Sequence, residues 1–279
     1  SSTAFREYDF SEDAFTRLQR LIHAHCGLSL SADKKDNVYS RLSRRLRALG
    51  MDSFCDYCRM IEAGHLEELE QFTNALTTNL TGFFREVHHF EYLRESVIAE
   101  VMQRNAGSRR LRIWSAGCSS GEEPYSIAMT LLDAMPQIDS WDVRILATEL
   151  DTDVFDKAES GIYRQKDVSE LSEQQLKCGF RKGRGSRQGM VRVTPEVSGL
   201  VTFRRHNLIH EWPMQGPFDI IFCRNVVIYF DKPTQQRLFH RFADIMAPGG
   251  YLFIGHSESL NNLSDRFRLI GRTIYRRNP

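Results

Sequence analysis

Two rhythms divide this chain. Up to about residue 75 apolar residues recur every three or four positions, and beyond Arg110 short apolar runs alternate with amphipathic stretches. The first rhythm predicts helices over 11–26, 33–49, 52–63 and 65–78. Gly27, Gly50 and Gly64 stand where such helices stop, and Ser11 and the Asp52–Ser53 pair where they are capped. A further helical pattern, Glu86 to Gln103, leads into the second part. There the apolar runs predict strands over 111–115, 143–148, 219–223 and 250–255, with helices over 123–134, 151–159 and 233–247. Such alternation gives a mostly parallel sheet covered on both faces. Between 161 and 205 it breaks. A glycine-rich turn at 183–189 precedes the alternating Met190–Val193 and, later, Val201–Phe203, which predicts a small antiparallel excursion. The expected organisation is a small all-helical domain over 1–78, a linker and connecting helix over 79–109, and a doubly wound α/β domain over 110–279. An inserted β-subdomain is expected at about 161–205.

The most telling stretch is RIWSAGCSSGEEPYSIA, Arg112 to Ala128. An apolar run stops at the small residues Ser115–Gly121, two acids follow, and Pro124 opens an apolar helical pattern. That predicts a strand, a tight glycine turn and a helix start, proline being tolerated in the first helical turn. Glycines let the backbone approach a bound molecule, and the helix start offers free N–H groups. Helix N-termini favour anions, so phosphate is the first candidate. The stretch, however, carries neither a GxxxxGK[ST] lysine loop nor the GxGxxG fingerprint of a nicotinamide dehydrogenase, and Glu122 and Glu123 would repel a pyrophosphate. An acid-bearing glycine loop better suits an adenosine that carries a cationic group, such as S-adenosylmethionine. An ordinary strand–helix turn with a surface acid pair is the plainer alternative.

Composition changes this picture little. With 279 residues, 41% of them hydrophobic and 26% charged, the chain suits one large core or two modest ones. No apolar run approaches the roughly 18–20 residues of a membrane span, and SSTAFREYDF lacks a signal-peptide core, so a cytoplasmic protein with no direct membrane insertion is expected. The six cysteines are scattered, and Cys55–Cys58 has no second CxxC or histidine pair beside it, so free thiols and no metal are expected. The net charge is only +1 but unevenly spread. Lys34, Lys35, Arg41, Arg44, Arg45 and Arg47 share a segment with Leu42, Leu46 and Leu49 at helical spacing. This reads as a helix with an apolar stripe and a basic face, either simply solvated or set against an acidic partner. Aromatic residues do not interleave with the arginines, which disfavours a single-stranded nucleic-acid platform.

Further candidates follow from position. Glu149 ends the second predicted strand, where an acid binds ribose hydroxyls in a doubly wound fold, while Asp151 suits the cap of the next helix. Asn207 ends an extended run and reads equally as an adenine contact, with the Leu208 backbone beside it, or as a turn. Strand 219–223 empties into CRNVVIYFD, which makes Asn225 and Tyr229 candidates at the crevice. Thr77–Glu86 packs hydroxyls, an amide, two phenylalanines and Arg85 into ten residues where the two rhythms meet. It reads as part of a ligand cleft, with Arg85 paired to a carboxylate, or as a polar linker with a hydrophobic anchor.

Taken in order, ALTTNLTGFFREVHHF (75–90), IWSAGCSSGEEPYSIA, ATELDTDV, FDIIFCRNVVIYFDK and GGYLFIGHSESL closely resemble the chemotaxis receptor methyltransferases, the CheR family. The helical part carries the matching SRLSRRLRALG. The resemblance implies a doubly wound, Rossmann-like S-adenosylmethionine-dependent domain that transfers methyl groups to glutamate side chains of chemoreceptors. The products are glutamate methyl esters and S-adenosylhomocysteine. It implies cofactor contacts from Asn79, Thr81 and Arg85. Glu123 would meet the methionine amino group, Glu149 the ribose (the family often has Asp here), Asn207 and Leu208 the adenine, and Asn225 and Val226 the methionine side. Arg85 and Tyr229 would stand nearest the transfer. A carboxylate acceptor, with an ordinary pKa of about 4.3, is ionised at neutral pH, so alignment and exclusion of water matter more than a base. Arg41, Arg44, Arg45 and Arg47 would dock on glutamate-rich receptor helices. The turn at Gly183 and Gly185 resembles members that bind a receptor's C-terminal pentapeptide by adding a strand. A methyltransferase with another acceptor, or a cofactor-binding signalling module without catalysis, are the alternatives.

Overall fold

The computed structural model describes residues 6–77 and 81–279. They fall into two compact units, 6–77 with Tyr229–Asp231, and 81–228 with Lys232–Pro279.

In the first unit α1 (Glu12–Cys26) begins where Ser11 Oγ accepts from the Ala14 N–H and ends at left-handed Gly27. After a 3₁₀ turn at Ala32–Lys34 comes α2 (Lys35–Leu49), which stops at left-handed Gly50. Helix α3 (Phe54–Glu62) is capped by Ser53, and α4 (Leu66–Leu76) completes the set. Their apolar stripes meet at Leu18, Ile22, Leu42, Leu46, Tyr57 and Phe72, all fully buried. The distant segment Tyr229–Asp231 joins this unit. The Tyr229 carbonyl accepts from the Ser29 N–H, Phe230 bridges to Leu28, and Asp231 meets His23 Nε2 at 2.6 Å.

In the second unit α5 (Val87–Tyr92) and α6 (Ile98–Arg104) run on through a π-helical turn at Leu93–Val97. Then follow β1 (Arg110–Ala116), α7 (Glu122–Ala134), β2 (Asp142–Glu149) and α8 (Thr152–Ser160). The insertion holds β3 (Ile162–Arg164), α9 (Glu173–Gly179), β4 (Phe180–Lys182), β5 (Met190–Val193) and α10 (Pro195–Ser198). The chain returns through β6 (Val201–Arg205), β7 (Phe218–Cys223), α11 (Lys232–Ile245), β8 (Met246–Ile254), β9 (Phe267–Gly271) and β10 (Ile274–Arg277). The main sheet has the order β6-β2-β1-β7-β8-β10-β9. Its first five strands are parallel and β10 is antiparallel to both neighbours. All six residues of β7 are buried, as a central strand covered on both faces requires. No helix among the described residues is long and apolar enough to cross a membrane.

The structure corrects one expectation and adds to others. Val201–Phe203 does not belong to the antiparallel excursion: β6 pairs with β2 in parallel, and the separate sheet is only β3-β5-β4. Alternation along a strand shows that one face is buried but not which sheet receives it. The connecting helix expected before β1 packs into this unit, where Leu93, Val97 and Val101 share the core of Ile113, Ile127 and Phe222. The hairpin β9–β10 had no counterpart in the predicted strands, because FRLIG and IYRR mix arginines with apolar residues along the sheet edge.

Candidate active site

Strand β1 lies between β2 and β7, and the chain runs outward from it first through β2 to β6 and then through β7 to β8. The carboxyl ends of β1 and β7 therefore flank the topological switch point, where open α/β sheets bind ligands. The glycine loop after β1 is drawn against β2, for Gly117 and Cys118 both donate to the Thr148 carbonyl at 2.9 Å. Gly117 is left-handed (φ 78°), and a Cβ there would overlap Val226 Cγ2. Glycine thus lets the loops after β1 and β7 touch. On the other side Tyr163 of β3 donates to the Ser120 carbonyl at 2.6 Å, tying the small sheet to the same loop.

Glu123, in the first turn of α7, is buried with both oxygens engaged. Ser115 Oγ donates to Oε1 at 2.7 Å and Arg224 Nε donates to Oε2 at 2.8 Å. Arg224 is the hub of this end of the sheet. Its Nη1 donates to the Arg85 carbonyl at 2.7 Å and to His89 Nδ1 at 3.1 Å, and its guanidinium lies over Phe90 and Phe222. A guanidinium only donates, so Nδ1 of His89 is the acceptor and Nε2 carries the proton toward the Arg272 carbonyl and Thr273 Oγ1. Burial, then the Arg224 charge, push the His89 pKa down to about 3.

Glu86 completes the cluster on different terms. Its carboxylate lies 3.7 Å from Arg224 Nη1 and 3.8 Å from His256 Nδ1, and neither oxygen has a hydrogen-bond partner although both are buried. Phe84 and Glu86 are both left-handed without being glycine (φ 51° and 57°). The Phe84 N–H bond to Ser126 Oγ and the Arg85 carbonyl bond to Arg224 hold the segment in that backbone. Glu86, His88 and His89 bring ligand-type atoms within 4.8 Å of one another, but both His89 nitrogens are already committed and the guanidinium supplies the local positive charge.

The remaining predicted residues are placed as follows. Glu149 Oε1 accepts from the Ser119 N–H and Oε2 from Leu150 and Asp151. Burial pushes its carboxyl up, and these backbone donors pull it back. Asp151 caps α8. Asn207 is buried in a turn, its Oδ1 accepting from Ile209. The Leu208 carbonyl accepts from Trp212 Nε1 at 2.9 Å and Arg241 Nη1 at 3.0 Å. Asn225 is left-handed (φ 59°), and its N–H donates to Glu258. Thr81 and Arg85 are half-buried in the second unit, while Tyr229 groups with the first. Asn79 lies outside the described residues. Of the sites for a partner, Gly183 and Gly185 lie in the β4–β5 connection.

The four arginines of α2 divide, which corrects the picture of one basic face. Arg41 caps α4 through the Ala75 and Thr77 carbonyls. Arg45 makes a two-pronged pair with buried Glu68, which also accepts from Tyr57. Arg44 and Arg47 are exposed, Arg47 with Glu7 beside it.

Arg224, Glu86, Glu258 and Arg241 were missed in sequence. The one signal was a charge, Arg224, closing the apolar run of β7.

Three features fit S-adenosylmethionine: a glycine loop at the switch point, an acid closing β2, and the unpartnered buried atoms Glu86 Oε1, Glu86 Oε2 and Ser119 Oγ. Buried polar atoms are as a rule hydrogen-bonded. The chain matches the family described as CheR methyltransferase, SAM binding domain, over residues 79–276, and CheR methyltransferase, all-alpha domain, over 13–77. It is 47% identical over 268 residues to the chemotaxis protein methyltransferase of Salmonella typhimurium, covering 95% of this chain and 90% of the relative. To that of Klebsiella aerogenes it is 46% identical over 267 residues, covering 95% and 89%.

Proposed function

Since the chain belongs to the CheR methyltransferase family, we propose that it transfers methyl groups from S-adenosylmethionine to glutamate side chains of chemoreceptors in the cytoplasm. Membership itself means S-adenosylmethionine-dependent methylation in chemotaxis. The glutamate acceptor is the finer step, and the observation that carries it is the state of the titratable groups around the switch point. His89 is neutral with both nitrogens committed, and burial lifts Cys118 and Cys223 far above the ordinary thiol value. None of these three is a base at neutral pH, which leaves Glu86 and His256 as the neighbours among the described residues that could take a proton, and the H256A variant tests the histidine. A hydroxyl or amine acceptor must lose a proton, whereas a glutamate carboxylate is already a nucleophile at neutral pH.

When bound, S-adenosylmethionine supplies a methyl group made electrophilic by its sulfonium. The chain's residues bind and orient. Glu149 suits the ribose hydroxyls. Asn207 and Leu208, fixed by their turn, suit the adenine. Glu123, Asn225 and Val226 suit the methionine end, with Asn79 and Thr81 assigned beside them by resemblance. Arg85 and Tyr229 are assigned by resemblance to the transfer end, where either orients the incoming carboxylate or the cofactor. Exposed Arg44 and Arg47 suit the glutamate-rich receptor helix, and reversing both should weaken receptor methylation in a salt-dependent way while cofactor affinity holds. The β-subdomain suits the receptor's C-terminal pentapeptide. Arg181 stands directly opposite Arg192 there, a like-charge pair that an acidic peptide would relieve. Titrating the isolated peptide tests that assignment, and no binding at millimolar concentration removes it.

The central test mixes the protein, methyl-labelled S-adenosylmethionine and chemoreceptor membranes. Label on the receptor that base releases as methanol is the expected outcome. Stable label, or label on another molecule, would overturn the glutamate assignment. Cofactor binding without transfer to any receptor would favour the signalling module.

A further inference from the structure

We infer that Glu258 is a positioning residue: its buried carboxylate sets the backbone of Asn225–Ile228 and so the methionine side of the cofactor site. The inference rests on reading Asn225 and Val226 as cofactor-facing. Glu258 is 6% exposed. Its Oε1 accepts from the Asn225 N–H at 2.6 Å and the Gly255 N–H at 2.7 Å, and its Oε2 from the Ile228 N–H at 3.1 Å. One side chain therefore fastens the loop after β7 to the turn after β8. That turn is closed by the Glu258 N–H donating to the Gly255 carbonyl, which folds the carboxylate back over the start of its own turn.

Two details show that the loop is held rather than merely touched. Asn225 adopts a left-handed backbone (φ 59°), a conformation asparagine tolerates better than most residues, and its N–H is fixed there by the Glu258 carboxylate. At Gly255 a Cβ would stand 2.5 Å from Asn225 Oδ1 and 2.8 Å from Glu258 Oε1, so the turn presses directly on the loop. The constraint reaches Val226, whose side chain fills the space over Gly117 of the glycine loop. Acceptor chemistry explains why an acid is needed. Four backbone N–H donors, those of Gly255, Asn225, Val227 and Ile228, converge on the two oxygens, and an amide in the same place would turn its own N–H groups on one or more of them. Burial raises the carboxyl above its ordinary range, and the backbone donors counter that.

The test uses the full-length protein and S-adenosylhomocysteine as the probe, titrated by calorimetry. E258Q should weaken binding by about ten- to a hundredfold, the range expected when buried hydrogen bonds to a charged group are lost. The KM for S-adenosylmethionine should rise in step while kcat at saturation changes little. General destabilisation behaves differently, because it lowers the number of competent sites and leaves the affinity of the remainder intact. G255A keeps Glu258 but crowds Asn225, and should weaken binding in the same way; it decides the matter alone where E258Q does not fold. E100A, which removes the Glu100 contacts to Tyr251 and Arg276, is the control and should lower only the melting temperature. Parent affinity in E258Q and G255A would overturn the role of Glu258. A parent protein that binds no S-adenosylhomocysteine would instead sink the cofactor-site reading.

Discussion

Arg45 and Arg224 each face a buried glutamate, and the two pairs are finished to different degrees. In the helical unit Glu68 receives both prongs of Arg45 and the Tyr57 hydroxyl, so the charge is balanced and its oxygens are satisfied. In the α/β unit Arg224 binds Glu123 but leaves Glu86 at 3.7 Å with two buried oxygens that no donor reaches. Nearly all buried polar groups are paired in a stable fold. A completed pair therefore serves the fold, and an incomplete one is retained for something the fold alone does not explain. One arginine faces one glutamate in the first place and two in the second, so charge balance and hydrogen-bond completion together tell them apart.

The sharpest way to break that comparison is to remove each arginine in turn. R224M leaves Glu123 and Glu86 buried without their cation, a loss of about 3–5 kcal/mol for a buried pair. Methyl transfer should become undetectable and S-adenosylhomocysteine binding should fall with it. R45M should cost less, about 1–3 kcal/mol, because the arginine side chain is 25% exposed and the pair partly screened. Its affinity for S-adenosylhomocysteine should stay at the parent value. Equal losses of affinity in the two variants would erase the distinction between a structural and a functional pair.

Acid titration separates the regions next. His89 donates to the Arg272 carbonyl and accepts from Arg224, and it stays neutral in the folded protein down to about pH 3. The unfolded chain takes up that proton near pH 6.5, so below this point the unfolded state binds more protons and stability falls with pH. The contribution is complete above pH 6.5 and is lost progressively as pH drops toward 3. Between pH 7 and pH 5 the loss should be about 2 kcal/mol, at about 1.4 kcal/mol per pH unit. Urea melts of the parent and H89Q at both values check this. Parallel pH slopes would show that His89 is not held neutral.

Glu86 offers a smaller and more diagnostic effect. E86Q removes a buried charge that has no hydrogen bond, so it should raise stability by about 1 kcal/mol while lowering S-adenosylhomocysteine affinity. A variant that loses both stability and affinity would place Glu86 with Glu68, as a part of the fold.

How much of this was legible beforehand depends on how far apart in sequence the partners lie. The glycine loop and β7 were readable because each declares itself locally, one by small residues before an acid pair and the other by a continuous apolar run. Helix ends at Gly27 and Gly50 were readable for the same reason. Arg224 meets Glu123 across 101 positions, and Glu258 meets Asn225 across 33. Arg45 looked like part of a displayed basic face because Glu68 is 23 residues away on another helix. Local pattern reports which side of an element is buried; it does not report which charge waits there.

The smallest expected effect tests whether the incomplete cluster contains a base after all. His256 is the titratable neighbour left with room to act, since its side chain is 54% exposed and its Nδ1 lies 3.8 Å from a Glu86 oxygen. Were it to deprotonate the acceptor, H256A would lower kcat by about a hundredfold or more. A carboxylate acceptor needs no such help, and 3.8 Å is too long for a hydrogen bond that would fix the ring as a catalytic dyad. H256A should therefore keep kcat for receptor methylation within about threefold of the parent, a difference below 1 kcal/mol in barrier height. A hundredfold loss would assign the unfinished charge at Glu86 to orienting a catalytic imidazole, and the acceptor would then have to be a group that arrives with its proton.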